Sequence, residues 1–233
     1  MTFISRRDLL KRAAVVGAAA AAPPVGVSDA SALDAESIRD HGMAAAREPL
    51  ENLTATEADL LETIVARLIP SDASGPGATE ARAAHYIDRA LGGALASSRQ
   101  TYTAGLAALD RYSRSSRGKA FTELAATDQD SVLIDVETGA ATGFAGSSAA
   151  FFALLLNHTH QGTFGDPYYG GNANYVGWDL IGYPGIRTMV TAADQKSLEG
   201  RTLKPNHKSA YDYESFTKAT ARAGSHEGTK HGD

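Results

Sequence analysis

The chain has 233 residues and a mass of 24.3 kDa, with 22 Lys and Arg against 27 Asp and Glu. That length fits one domain with extensions, and the mild acidity argues against a nucleic-acid partner, whose binder carries a clustered basic face. Cysteine is absent. Its absence excludes disulfides, thiolate zinc sites, a Cys nucleophile, cysteine-ligated iron–sulfur clusters and thioether-attached haem.

Residues 1–32 read as an address. Ser5-Arg6-Arg7-Asp8-Leu9-Leu10-Lys11 sets paired arginines before an apolar stretch, Ala13 to Ala22, which stops at Pro23-Pro24. Ten mostly alanine positions are too few and too weakly apolar for a bilayer span, which takes about 20 residues. A basic segment, a short apolar segment and the small-x-small site Ala30-Ser31-Ala32 describe a signal peptide. Arg6 and Arg7 sharpen it to the twin-arginine (Tat) route, with the Tat translocase as a partner and a periplasmic or exported destination. The chain left after residue 32 carries 18 basic and 25 acidic residues, a net charge of −7.

Residues 33–52 read as an extended lead-in. Thr54 and Glu57 then offer a capping box, and Leu60, Leu61, Ile64, Val65, Leu68 and Ile69 form one helical stripe ended by Pro70. Ser71 to Gly77 is a turn-rich loop, and a second helix is expected from near Thr79 to Leu91, stopped by Gly92-Gly93. From Ser98 to Arg117, Tyr102, Leu106, Leu109 and Tyr112 recur three or four apart, the pattern of an amphipathic helix. Thr127 to Asp130 is expected to cap the next helix, which carries Val132, Leu133 and Val136. Ser147 and Ser148 read as N-caps of a helix whose Phe151, Phe152, Leu154, Leu155 and Leu156 point almost all round, so it belongs at the centre of the core. No alternating strand pattern and no fixed-period repeat is visible. The fold class is all-α, with a helical domain over 53–200 and a polar tail over 201–233.

After His160 the periodicity stops. Gln161 to Ile186 holds five Tyr and Phe residues and Trp178 among many glycines, and reads as a long loop. Glycine permits positive φ and close backbone approach, while aromatics supply rigid contact area, a combination that suits a packed loop or a protein-binding surface. Thr191 to Asp194 caps one more short helix ending at Gly200, and Tyr211, Tyr213 and Phe216 are the anchors of the tail.

His158 and His160, with Asp166, invite a metal reading. At i and i+2 on a helix they point about 200° apart, so one ion takes both only where the helix has already ended. The competing reading is a pair of hydrogen-bonded histidines pinning the loop. Gly170-Gly171-Asn172 follows no strand and has no nearby Lys for a phosphate cradle. The chain also lacks a G-x-G-x-x-G fingerprint.

The run His158-Thr159-His160-Gln161-Gly162, then Gly165-Asp166-Pro167-Tyr168-Tyr169-Gly170-Gly171-Asn172, Gly177-Trp178 and Ile181-Gly182-Tyr183-Pro184-Gly185, resembles the gluconate 2-dehydrogenase subunit 3 family. Leu68-Ile69-Pro70-Ser71-Asp72 and Gly75-Pro76-Gly77-Ala78 are similar to that family as well. The resemblance implies a small, non-catalytic subunit of a membrane-associated, FAD-dependent sugar or alcohol dehydrogenase. It implies no cofactor in this chain, with FAD in a large GMC-type subunit and haem c in a multihaem cytochrome subunit. It also implies that the small subunit carries the export signal for the large one, supports its assembly, and meets the membrane only through partners. The docking loop is then 157–186, with His158, His160, Asp166, Pro167, Tyr169, Gly170, Gly171, Asn172, Trp178, Tyr183, Pro184 and Gly185 as its candidate contacts. The rival readings are a free-standing exported enzyme or metal-binding protein centred on His158, His160 and Asp166, and an exported binding module with no redox link.

Overall fold

A computed structural model describes residues 50–216. The signal segment with Arg6 and Arg7, the cleavage site Ala30-Ser31-Ala32, the lead-in up to residue 49 and the tail from residue 217 lie outside the described residues. Within them are seven α-helices and no β-strand, so the chain is all-α. None of these helices is long and apolar enough to cross a membrane.

Helix α1 spans Ala55–Leu68, and its start is the expected capping box. The Thr54 hydroxyl accepts the Glu57 N–H at 3.3 Å, and the Glu57 carboxylate accepts the Thr54 N–H at 2.9 Å. Leu60, Leu61, Ile64 and Val65 are buried. Past Pro70 the chain loops back onto the end of the helix, where the Ala78 N–H donates to the Ile69 carbonyl at 2.8 Å. Gly77 allows that return, because a Cβ there would stand 2.3 Å from the same oxygen.

Helix α2, Ala83–Leu91, begins four residues later than the Thr79 start expected from the pattern. Arg82 takes a left-handed backbone (φ 58°), which breaks the turn before it from the helix after it. Helix α3, Arg99–Arg117, buries Tyr102, Leu106 and Leu109 and stops at Gly118 in the left-handed conformation. Helix α4, Ala126–Glu137, corrects the expected cap. Thr127 and Asp128 lie inside its first turn, because the buried Phe121 and Leu124 fix the turn one step earlier and the Ala125 carbonyl accepts the N–H groups of Asp128 and Gln129. Asp130 instead forms a two-point ion pair with Arg67 of α1, at 2.8 and 2.9 Å.

Helix α5, Ser148–Phe164, is the central element and packs against α1, α2, α3 and α4. Ser147 alone caps it, accepting the Ala150 N–H at 3.2 Å, while Ser148 is its first helical residue. Two glycines set its crossings. A Cβ on Gly105 of α3 would lie 2.2 Å from the Phe151 ring, and one on Gly162 would lie 2.9 Å from the Ala83 Cα of α2. Residues 157–164, expected to open the loop, are therefore the last two turns of this helix. Helix α6, Val176–Ile181, and helix α7, Ala192–Glu199, complete the set.

The lead-in is tied down by a charge on the buried face of α2. Asp88, 1% exposed, accepts backbone N–H groups from Glu51 at 2.7 Å, Asn52 at 3.1 Å and Leu53 at 2.7 Å. Asn52 answers by donating its side-chain amide to the Asp88 carbonyl at 2.7 Å. A carboxylate in that position is satisfied by the chain that arrives beside it.

Candidate functional site

The last four carbonyls of a helix have no partner within it. At the end of α5 they are met by the Gly/aromatic segment that follows. The Asn172 N–H donates to the Gly162 carbonyl at 2.7 Å, the Trp178 indole to the Phe164 carbonyl at 2.9 Å, and the Asn172 side-chain amide to the Gly165 carbonyl at 2.9 Å. The Asn172 side-chain oxygen accepts from the N–H of Gly177 at 2.8 Å and of Trp178 at 3.4 Å, which starts α6. Asn172 holds a left-handed backbone (φ 42°), a conformation that Asn tolerates better than most residues.

Two glycines of this segment are there for contact with backbone. A Cβ on Gly171 would stand 2.2 Å from the Gly162 oxygen, and one on Gly177 would stand 1.8 Å from the Thr163 oxygen. The segment is a mould around a helix end. It contains two short 3₁₀ turns and helix α6 in place of the aperiodic loop expected from the sequence.

A second layer closes over the mould. Asp166 accepts the Tyr168 N–H at 2.9 Å and the Ala210 N–H at 3.0 Å, joining the motif to residues expected to be tail. Tyr168 stacks on Tyr211 with ring centroids 3.7 Å apart, and the Tyr169 and Tyr211 hydroxyls lie 2.7 Å apart. Tyr183 packs edge-on to Trp178 at 4.8 Å, and the Pro184 carbonyl accepts the Asn206 N–H at 3.2 Å. Gly185 has φ +84°, and a Cβ there would lie 1.9 Å from the Asn206 side-chain oxygen. His207 stacks on Tyr175 at 5.0 Å and meets the Asp179 carboxylate at 2.7 Å. Residues 203–213 are thus part of the folded unit, held by contacts that no periodicity announces.

The candidate contacts separate by exposure. His158, Gly171, Asn172, Trp178 and Gly185 are buried, and Trp178 serves as a core anchor. Asp166, Pro167, Gly170, Tyr183 and Pro184 are half-buried, while His160 and Tyr169 are exposed. Tyr168, which the sequence did not single out, is exposed as well.

The histidines do not act as a pair pinning the loop. His158 faces α3, where its Nδ1 lies 3.0 Å from the Tyr102 hydroxyl with the two rings nearly parallel. Burial pushes the His158 imidazole below its ordinary value and the Tyr102 phenol above its own. His160 lies against the Phe164 ring instead, at 6.1 Å. Among the described residues no three His, Asp or Glu side chains converge as a metal site. The absence of a strand among those residues also leaves no strand–glycine-loop–helix unit for a dinucleotide.

No curated protein and no solved structure gave a match to this chain. The family model described as gluconate 2-dehydrogenase subunit 3 matches residues 55–185, more than half of the sequence, from the first residue of α1 to the last glycine of the Gly-Tyr-Pro-Gly turn. The chain belongs to the gluconate 2-dehydrogenase subunit 3 family, a family of dehydrogenase subunits.

Proposed function

We propose that this chain is the non-catalytic small subunit of an exported FAD-dependent sugar or alcohol dehydrogenase, and that it escorts the flavoprotein subunit through twin-arginine export and supports its assembly. The family match to a dehydrogenase subunit carries the reading. Two further features support it. The polar groups of the family motif are spent inside the fold: His158 on Tyr102, Asp166 on two backbone N–H groups, and Asn172 on the end of α5. The motif therefore holds the end of α5, which suits a subunit whose partner carries the chemistry. The paired Arg6 and Arg7 belong to a pathway that exports folded proteins, which suits a passenger already carrying its flavin. In this reading FAD resides in a GMC-type large subunit, and haem c in a cytochrome that takes the electrons onward. A metal centre on His158 and Asp166 competes for atoms the fold already uses.

The test is co-expression with the GMC-type flavoprotein proposed as its partner, comparing the native signal with Arg6→Lys/Arg7→Lys. The expected result is loss of periplasmic dehydrogenase activity and accumulation of the flavoprotein in the cytoplasm. Full export of an active flavoprotein with the lysine pair overturns the escort role.

A further inference from the structure

Residues 187–204 leave the body of the protein and return to it as an arm. Its base is closed by three contacts: the Arg187 guanidinium donates to the Lys204 carbonyl at 2.9 Å, the Ile186 N–H to the Lys208 carbonyl at 3.3 Å, and the Asn206 amide to the Ile186 carbonyl at 2.7 Å. Helix α7 inside it has its own capping box, Thr191 with Asp194, and the Ser197 carbonyl accepts the N–H groups of Thr202 and Leu203 at its far end. Yet α7 buries no residue at all. The arm is held by local hydrogen bonds, and none of its residues is buried.

What it displays is apolar. Met189 is 77% exposed, Val190 65% and Leu198 57%. With Ile181 just before the arm, this stretch holds four of the eight large apolar side chains exposed among the described residues. Its charge also differs from that of the body. Residues 187–204 carry four Lys and Arg against Asp194 and Glu199, whereas residues 50–186 carry 8 basic and 15 acidic side chains. The arm begins just past the matched family region, residues 55–185.

We infer that this arm docks onto the flavoprotein subunit, seating Met189, Val190 and Leu198 in an apolar groove with an acidic rim. The inference rests on the subunit role proposed above. A closed base and a capped helix present the three side chains with little ordering left to pay on binding. Pairing with the same arm of a second copy would set two arms of net positive charge, each with four cations against two anions, face to face across a two-fold contact, which disfavours self-association through it. Three short side chains also bury less hydrocarbon than one myristoyl chain, itself a marginal membrane anchor. A protein groove of opposite charge meets both the apolar and the basic requirement.

The test uses the full chain, tagged and co-expressed with the flavoprotein, with co-purified flavin absorbance as the readout. Met189→Glu/Val190→Glu/Leu198→Glu is compared with Ile134→Glu, an exposed apolar position on the body. The expected result is about tenfold or greater loss of co-purified flavoprotein for the arm variant and none for the Ile134 variant. The charge reversal Lys196→Glu/Arg201→Glu/Lys204→Glu gives the same answer without touching the apolar residues, and covers the case in which the first variant misfolds. Retention of the flavoprotein by both arm variants overturns the arm while leaving the subunit role intact. No co-purification by the wild type overturns the subunit role and with it the arm's occupant. Arm-dependent dimerisation of the chain alone, or arm-dependent binding of the chain alone to phosphatidylglycerol vesicles, also overturns the inference.

Discussion

Asn172 is the single side chain on which the family motif turns, and replacing it measures how much the mould around α5 contributes. In Asn172→Ala the Gly177 N–H and the Gly165 carbonyl lose their partners, in a site where Asn172 itself is 0% exposed. Each buried group left unpaired costs about 1–3 kcal/mol. Alanine held at the φ of 42° adds about 1–2 kcal/mol of left-handed strain, which Asn is better suited to bear. The total is about 3–8 kcal/mol, against about 5–15 kcal/mol for the stability of a whole domain. For a domain of this size, that lowers the unfolding midpoint by roughly 6–32 °C.

Far-ultraviolet circular dichroism during heating, with a urea titration beside it, reads the change. Two companions separate the causes. Asn172→Gly relieves the left-handed strain but makes no side-chain bond, so it recovers only about 1–2 kcal/mol. Asn172→Asp keeps an acceptor for the Gly177 N–H but turns a carboxylate oxygen toward the Gly165 carbonyl, and falls well below wild type. An alanine variant within about 1 kcal/mol of wild type refutes the assignment of Asn172 as the keystone of this turn.

Two other side chains give independent checks. Asp88→Ala removes the acceptor for three backbone N–H groups of residues 51–53 and is expected to cost about 3 kcal/mol or more in a urea titration, with faster proteolysis near Glu51. Asp88→Asn keeps part of that acceptor and costs less. His158 titrates below its ordinary value of 6.5 in the folded protein because it is buried, so the unfolded chain takes up the proton first as pH falls. Its contribution is full above pH 6.5, declines as pH drops from there toward the folded value, and levels off below it; urea midpoints at a series of pH values should show that decline, with a smaller one in His158→Asn.

The fold was legible where one side chain both begins a helix and points to its buried stripe. Thr54 with Glu57, and Ser147, are such cases, and α1 and α5 start where they indicate. Other boundaries were set by contacts between distant residues. Gly162 and Gly165 interrupt the pattern at the end of α5 and so suggested a loop, but the helix continues to Phe164 because Gly162 is what lets it cross α2 at close range. The start of α4 was set by Phe121 and Leu124 packing inward, which outweighs the capping preference of Thr127. Asp88 left a usable trace: a carboxylate between Ile87 and Leu91 on an apolar face requires partners. Nothing comparable marked residues 203–213, whose attachment relies on backbone groups and on single tyrosines.

The candidate site shows what a dense family motif does and does not report. A docking residue must have surface to lose when the partner arrives, and Asn172 at 0% and Trp178 at 4% have almost none. Gly171 and Gly177 are restricted by the α5 carbonyls, so any side chain there collides before a partner is present. Substitutions at these positions should therefore act first on stability and only through it on assembly, whereas those at Met189 or Leu198 should leave the unfolding midpoint unchanged and act on assembly alone. The spacing of Gly, Asn and Trp after His160 follows from the geometry of a helix end that needs its carbonyls paired. In the reading proposed above, contact with a partner falls instead to Met189, Val190 and Leu198, exposed side chains that no motif marks in the sequence.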